Sequence, residues 1–492
     1  MRTLDIRLSE ERGAFDRFAN LCVGAGRAHE VLRAGFVRQM ETVVRECGFR
    51  YLRFHGLFCD DMAVVTRRED GTLRYNWQYI DEIFDEMLAQ GIRPFVELSF
   101  TPKAMASGEK TVFWWKGNIT PPRDYAEYSD FIHAAVSHWE ARYGRAEVEK
   151  WFFEVWNEPD LGIFFTGTMD EYFKIYDRAA RAVKAVIESY RVGGPATSEH
   201  HWIDEFIAHC VENNIPVDFL STHTYGVEGA IDEFGRDLHV LLDDPDYIPS
   251  SVAATRAKIE KTALAGIPLY YTEWSCSYSS RDNLHDSYVN APFILYNLKR
   301  LAGKVQAMSY WTFTDIFEEA GPPPTPFHGG FGLMNMHGLK KPTYFAYKFL
   351  NMLGGTELQN DDPDSIVCKS EQGVQALVWN YTKHNQQNVP NELYYIRDLV
   401  PGDAEPARLS IPDLPDGRYL VSVYRTGYGV NDVYGEYLKL GRPDNLSREQ
   451  IAALAQTCDG TPECHVEVVK QGFSMDLPLR ENDVYFVDIK KI

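Results

Sequence analysis

Between about residue 15 and residue 350, short apolar runs alternate with longer amphipathic stretches. That alternation limits the folds open to this chain of 492 residues more than any other feature. The apolar runs fall at 21–28, 51–58, 93–99, 150–156, 191–194, 219–224, 268–272 and 308–313. Helical segments follow at 79–90, 124–143, 170–190, 251–265, 286–302 and 342–353. Strands buried on both faces read as short continuous apolar runs, and parallel neighbours need a crossover of a dozen or more residues. Eight such strands with helices between them predict an α/β fold, a (β/α)8 TIM barrel over residues 15–353. A doubly wound open sheet is the alternative. It fits less well, because Gly24-Ala25-Gly26-Arg27 after the first run lacks the full phosphate-binding fingerprint.

Barrels of this kind keep their chemistry where the strands end. Two stretches there, 225–250 and 317–342 with its Gly321-Pro322-Pro323-Pro324 turn, far exceed the usual connection length. They are expected to wall a pocket. Beyond Gly354-Gly355-Thr356 and Asp361-Asp362-Pro363-Asp364 the pattern changes to alternating strands, at 375–381, 419–424, 464–469 and 484–489. Residues 354–492 therefore predict an accessory β-sandwich, joined by a strand from the alternating run 4–8 within residues 1–14. Ser447-Arg448-Glu449-Gln450 is a capping box and opens a short helix there.

At the ends of two of the apolar runs stands a glutamate: Glu158 in Trp156-Asn157-Glu158-Pro159, and Glu273 in Tyr271-Thr272-Glu273-Trp274. Hydrolysis of a glycosidic bond needs two carboxyls, one to protonate the departing oxygen and one to meet the anomeric carbon. Glu158 suits the acid and Glu273 the nucleophile, the first with its pKa raised and the second ionised. If the mechanism retains configuration, the two carboxyls should lie about 5–5.5 Å apart; about 8 Å would rule out a covalent intermediate.

Composition narrows the partners. A net charge of −21 argues against nucleic acid and anionic polysaccharide, whereas a neutral oligosaccharide is not repelled. The eight cysteines show no CxxC pair and no metal-ligand spacing, and read as buried or free thiols in a reducing compartment. The first residues lack an apolar signal core, and no apolar run approaches the roughly 18 residues of a membrane span. The expectation is a cytoplasmic enzyme with no membrane partner. No metal or other cofactor is implied, and the sequence does not give the oligomeric state.

The chain resembles glycoside hydrolase family 39. The resemblance rests on Arg53-Phe54-His55-Gly56, Trp156-Asn157-Glu158-Pro159, Thr222-His223-Thr224-Tyr225 and Thr272-Glu273-Trp274. It extends through Tyr310-Trp311-Thr312-Phe313, Phe317-Glu318, Phe327-His328-Gly329-Gly330-Phe331-Gly332-Leu333 and, near the C-terminus, Asn431-Asp432-Val433-Tyr434. Bacterial members of that family are mostly β-xylosidases and animal members α-L-iduronidases. The resemblance implies a retaining exo-β-1,4-xylosidase acting on short xylo-oligosaccharides, with Glu158 as acid/base and Glu273 as nucleophile. It implies that Asn157 holds the 2-hydroxyl, that Tyr225 steadies Glu273, and that His55 and His223 line the pocket. Trp311 would form a stacking floor and Glu318 would reach the far hydroxyls. The aromatic run Phe113-Trp114-Trp115 is a candidate wall for the leaving group. Phe164-Phe165 departs from the Phe-Trp expected there. An iduronidase-like enzyme, an arabinofuranosidase, an endo-glycanase and a non-enzymatic sugar-binding protein are the alternatives. A uronide hydrolase would need a lysine or arginine in the pocket.

Overall fold

A computed structural model describes residues 1–231, 237–387 and 389–492. Eight strands close into a barrel: β1 (Cys22–Arg27), β2 (Tyr51–His55), β3 (Arg93–Glu97), β4 (Phe152–Glu154), β5 (Arg191–Thr197), β6 (Phe219–Tyr225), β7 (Leu269–Ser275) and β8 (Ala307–Tyr310). All neighbours are parallel, and Tyr310 pairs with Val23 to close the ring. A helix follows each strand: α1 (Ala34–Cys47), α2 (Gln78–Ala89), α3 (Tyr125–Tyr143), α4 (Met169–Val186), α5 (Ile203–Glu212), α6 (Tyr247–Ile259), α7 (Asn290–Leu301) and α8 (Pro342–Met352).

Helix α4 shows how local sequence sets these elements. Thr168 accepts from the Glu171 amide while Glu171 accepts from the Thr168 amide, so two orphan donors are satisfied at the start. Tyr172, Ile175, Tyr176, Ala179, Ala180 and Val183 recur at helical spacing and are all buried. Replacing Ile175 by alanine would cost about 2–5 kcal/mol. Helices α1 and α5 are absent from the sequence reading. In α1 the buried Phe36, Met40, Val43 and Cys47 are separated by strongly polar residues, and α5 has only ten residues.

Two strand ends depart from expectation in ways that matter to the site. β4 is only three residues long, because Trp156 and Glu158 adopt left-handed φ values of 73° and 43° and carry the chain out of the sheet. β7 instead runs on to Ser275, so Glu273 stands within the strand. The 225–250 stretch contains a hairpin of Val227–Ile231 with Asp237–Leu241. Its segment 232–236 lies outside the described residues.

The barrel interior is layered. At the end where the strands begin, Cys22, Phe95, Phe152, Phe219, Tyr270 and Ala307 form a closed apolar plug, with Phe95 stacked on Phe152 at 4.7 Å. Above it lies a layer of buried charge around Arg53, and above that the mouth.

The remaining chain forms two sheets. A seven-stranded sheet contains Glu11–Ala14, Thr356–Leu358, Ser365–Ser370, Gly373–Trp379, Val484–Lys491, Gly417–Thr426 and Glu463–Val469 in that spatial order. A three-stranded sheet pairs Arg2–Asp5 with Ala407–Ile411 and Phe473–Leu477. The N-terminal segment thus supplies one strand to each sheet, where the sequence suggested one in all. Leu4, Val367, Val421, Leu409 and Leu477 belong to one apolar core built from both sheets, while Phe486 of the larger sheet stacks on Phe349 of α8 at 5.5 Å. The Ser447–Gln450 capping box forms as read and opens Arg448–Thr457. All eight cysteines are free thiols, and only Cys464 is exposed. Among the described residues no helix is long and apolar enough to cross a membrane.

Candidate active site

The charged layer is organised by Arg53, whose side chain is fully buried. Its Nε lies 2.5 Å from Glu154 Oε2, Nη1 2.7 Å from Glu273 Oε1, and Nη2 2.8 Å from Glu97 Oε2 and 3.0 Å from Asn157 Oδ1. A guanidinium fork suits this because its five donors lie in one plane and can serve several acceptors. Burial alone would depress its pKa, but Glu154, Glu97 and Glu273 together raise it well above the usual value.

Both oxygens of Glu273 are held, one by Arg53 and the other by the Tyr225 hydroxyl, which donates to Oε2 at 2.7 Å. Burial opposes its charge, yet His223, Arg53, His55 and the Tyr225 hydrogen bond outweigh it and hold the carboxyl far below the usual range. Glu158 behaves oppositely. Burial pushes its carboxyl up and the charge of Glu273 adds to that, against the pull of His223.

His223 joins the two. Its Nδ1 lies 2.9 Å from Glu158 Oε1 and 3.7 Å from Glu273 Oε2, and its Nε2 lies 3.2 Å from Thr272 Oγ1. The Thr272 hydroxyl has a single hydrogen, which it donates to Glu154 Oε1 at 2.8 Å. That assigns the Nε2 hydrogen to His223, so in the neutral ring Nδ1 is an acceptor facing Glu158. Burial works against a charged His223 ring, but Glu273 and Glu158 raise its pKa above the usual value, so His223 and Glu158 share one proton across the Nδ1–Oε1 contact.

A cavity of about 720 Å3 opens onto these groups. His55, Asn157, Glu158, Tyr225, Glu273 and Trp311 line it. His223 does not; it is fully buried behind the carboxylates. Glu318 does not either. It turns aside to Arg33 at 2.7 Å and Arg27 at 3.4 Å, and its neighbour Glu319 faces the cavity instead. Glu319 Oε1 lies 3.5 Å from His55 Nε2 and has no hydrogen-bond partner. Burial and then the negative Glu273 push its carboxyl well above the usual range. Of the aromatic run, Phe113 lines the cavity, stacked on His55 at 5.9 Å; Trp114 is exposed and Trp115 packs elsewhere. Both long loops contribute wall residues, Val227 and Leu242 from one and Phe331 from the other.

Arg53, Glu97, Glu154, Glu199 and Glu319 are absent from the sequence reading of the site. Arg53 and His55 are two residues apart on one strand, hence on one face, and a charge in an otherwise apolar strand such as Phe152–Glu154 is a signal in the same sense.

Glu158, His223 and Glu273 each offer an atom within 4.8 Å of the others, a spacing compatible with a cation. The set does not fit one. Both His223 nitrogens are already hydrogen-bonded, and the Arg53 guanidinium on Glu273 would repel a metal ion.

A closed parallel barrel holding an acid and an ionised carboxylate side by side at its mouth is the framework of a retaining glycoside hydrolase. The model of glycosyl hydrolases family 39 matches residues 3–474, and the chain belongs to that family. It is 39% identical to a β-xylosidase of Caldicellulosiruptor saccharolyticus over 93% of this chain and 91% of that protein. It is 35% identical to a β-xylosidase of Geobacillus stearothermophilus over 98% and 95% respectively. A crystal structure of a monomeric β-xylosidase from Caulobacter crescentus CB15 superposes with a TM-score of 0.97 at 42% identity, covering all of both chains.

Proposed function

We propose that this protein is an exo-acting β-D-xylosidase that releases xylose from the non-reducing end of short xylo-oligosaccharides with retention of configuration. The observation that carries the reading is the carboxyl pair: oxygens of Glu158 and Glu273 within 4.8 Å, tuned in opposite directions. That closeness favours the retaining arrangement over the separation of about 6.5–9.5 Å with which an inverting enzyme fits its attacking water beside the sugar. The choice of xylose is supported by the two β-xylosidase relatives and by the cavity's charge. Among the described residues lining it there is no lysine or arginine, while Glu199, Glu228 and Glu319 join the two catalytic acids. A uronate would find no lysine or arginine in that lining to pair with.

Glu158 gives its proton to the glycosidic oxygen while Glu273 attacks C1, and a glycosyl-enzyme forms. Glu158 then takes a proton from water as that water attacks C1 and frees Glu273. Positive charge develops on the ring in both steps, and the buried carboxylates below favour it electrostatically. Arg53 fixes Asn157 Oδ1, so the Asn157 amide presents its N–H toward the cavity as the donor for the 2-hydroxyl. Trp311 serves as the floor. Glu319 takes the role that the resemblance implied for Glu318, binding the hydroxyls farthest from the bond.

In this reading residues 15–353 form the catalytic unit, and residues 1–14 with 354–492 form an accessory sandwich that braces it. His239 of the β6 hairpin meets Glu392 at 2.5 Å, Asp282 of the β7 loop accepts from Asn391 at 2.7 Å, and Phe327 of the β8 loop packs on Tyr437. The test is nitrophenol release from 4-nitrophenyl β-D-xyloside by the purified protein. Rapid release supports the reading; a folded protein that leaves this xyloside intact but cleaves a furanoside or an internal bond of a longer chain would overturn it.

A further inference from the structure

We propose that Asp160 is a positioning residue for Glu158: it locks the turn that carries the acid onto the loop after β5 and, through that loop, onto the support of Glu273. The inference deepens the β-xylosidase reading and rests on it. Glu158 stands at a left-handed φ of 43°, a backbone state that a residue with a side chain holds only where its surroundings enforce it. Two residues on, the Asp160 side chain is 2% exposed and takes no part in the cavity lining. The donors it meets, among the described residues, all come from one segment. Its Oδ1 accepts from the Ser198 amide at 3.0 Å, and its Oδ2 from the Ser198 hydroxyl at 2.6 Å and from His201 Nδ1 at 3.0 Å. The Glu158 amide adds a further tie to the same end of β5, donating to Ala196 O at 2.8 Å.

A buried carboxylate is costly unless it is hydrogen-bonded, so these contacts hold turn and loop in one relative position. The loop is itself anchored. Glu199, next to Ser198, accepts from the Tyr225 amide at 3.1 Å through one oxygen and from the Tyr247 hydroxyl at 3.0 Å through the other. Tyr225 in turn donates its hydroxyl to Glu273. Asp160, Ser198, Glu199 and Tyr225 thus make a continuous path from acid to nucleophile, separate from the one through Arg53. The charge of Asp160 acts in the same direction as its anchoring. Burial does most to favour the protonated form of Glu158; His223 at 2.9 Å opposes it, and the negative Glu273 and Asp160 add to it. Glu199, Glu319 and the Tyr225 hydroxyl also lie within electrostatic reach of Glu158. Around Asp160 stand His201 and, from α4, Tyr172. An asparagine at 160 would nearly keep the shape while removing the charge and one acceptor oxygen.

The experiment measures kcat/KM, which reports the bond-breaking step, for xylobiose and for 2,4-dinitrophenyl β-D-xyloside, whose leaving group departs without a proton. In Asp160→Asn the xylobiose value should fall by about 10–100-fold, part of the roughly 100–10,000-fold that a placed general acid supplies. The dinitrophenyl value should change by less than about threefold. The alkaline limb of the xylobiose profile should move to lower pH, because the acid then holds its proton less tightly. His201→Ala removes one anchoring bond from outside the cavity, and should lower the xylobiose value by about threefold or more while sparing the dinitrophenyl one. Equal losses on both substrates in either variant would make the contact merely structural and overturn the inference. An unchanged xylobiose value in either variant would overturn it too. Wild-type protein inactive on both compounds would instead strike the β-xylosidase reading, and the inference would fall with it.

Discussion

Arg53 Nη1 lies 2.7 Å from Glu273 Oε1, yet Arg53 does not line the cavity. The carboxylate proposed as nucleophile is therefore held from beneath, by a cation that does not face the cavity. The same guanidinium reaches Asn157, so two cavity-lining residues, one within β7 and one just beyond β4, are indexed to one rigid group.

Replacing that group should damage stability and chemistry together. Arg53→Met leaves Glu97, Glu154 and Glu273 buried without their common cation, which should cost about 3–5 kcal/mol. Calorimetry on the variant measures the loss, and kcat should fall at least 100-fold, as about 3 kcal/mol of lost transition-state support would give. Unchanged stability would mean that the carboxylates find other partners.

Tyr225→Phe removes the hydrogen bond that helps keep Glu273 ionised. A hydrogen bond to a charged group is worth about 1.5–3 kcal/mol, so kcat/KM should drop by about 10–100-fold. The direction in pH follows from the sign. The bond lowers the Glu273 pKa, its loss raises it, and the acid limb of the kcat/KM profile should move to higher pH. A limb that stays in place would show that Tyr225 acts on substrate alone.

Glu158→Ala should stall at the glycosyl-enzyme when given an activated aryl xyloside, which needs no proton to depart. Added azide, a nucleophile that needs no general base, should restore turnover and yield β-xylosyl azide, detectable by NMR. The α product would contradict double displacement.

Glu46 ties α1 to the α8 region through Lys340 at 3.1 Å and Lys348 at 3.0 Å. Burial resists its charge, but Tyr344, Lys348 and Lys340 together hold the folded-state pKa at about 2, below the usual 4.5. A depressed carboxylate stabilises the fold above its unfolded pKa and loses that contribution as pH falls through its folded one. Glu46→Gln should therefore lower stability by about 1 kcal/mol near pH 7, the site being partly exposed. Urea unfolding at stepped pH should show the gap to wild type closing from about pH 4.5 down toward about 2. A constant gap would point to packing rather than charge.

The barrel was legible because fully apolar strands and amphipathic helices have different periods, and eight alternations survive misplaced ends. Glu158 and Glu273 were legible for a related reason: each closes an apolar run in a distinctive local motif, and two such carboxyls together suit one reaction. The exchange of Glu318 for Glu319 was not. Both lie in a loop without periodicity, and which one faces inward is decided by Arg27 and Arg33, far away in sequence. The placement of His223 behind Glu158 escaped likewise, since period 2 says which face of β6 it occupies but not what stands in front of it.

The aromatic plug that seals the far end of the barrel makes the catalytic pit a cul-de-sac. Traffic through it is single file. The sugar seated deepest is first in and last out, and nothing can slip past it from below. In the mechanism proposed above, the leaving group departs while the sugar stays bonded to Glu273, water follows by the same door, and free xylose is the final occupant. Accumulated xylose should therefore compete with incoming substrate, whereas the alcohol or shortened chain has already cleared the way.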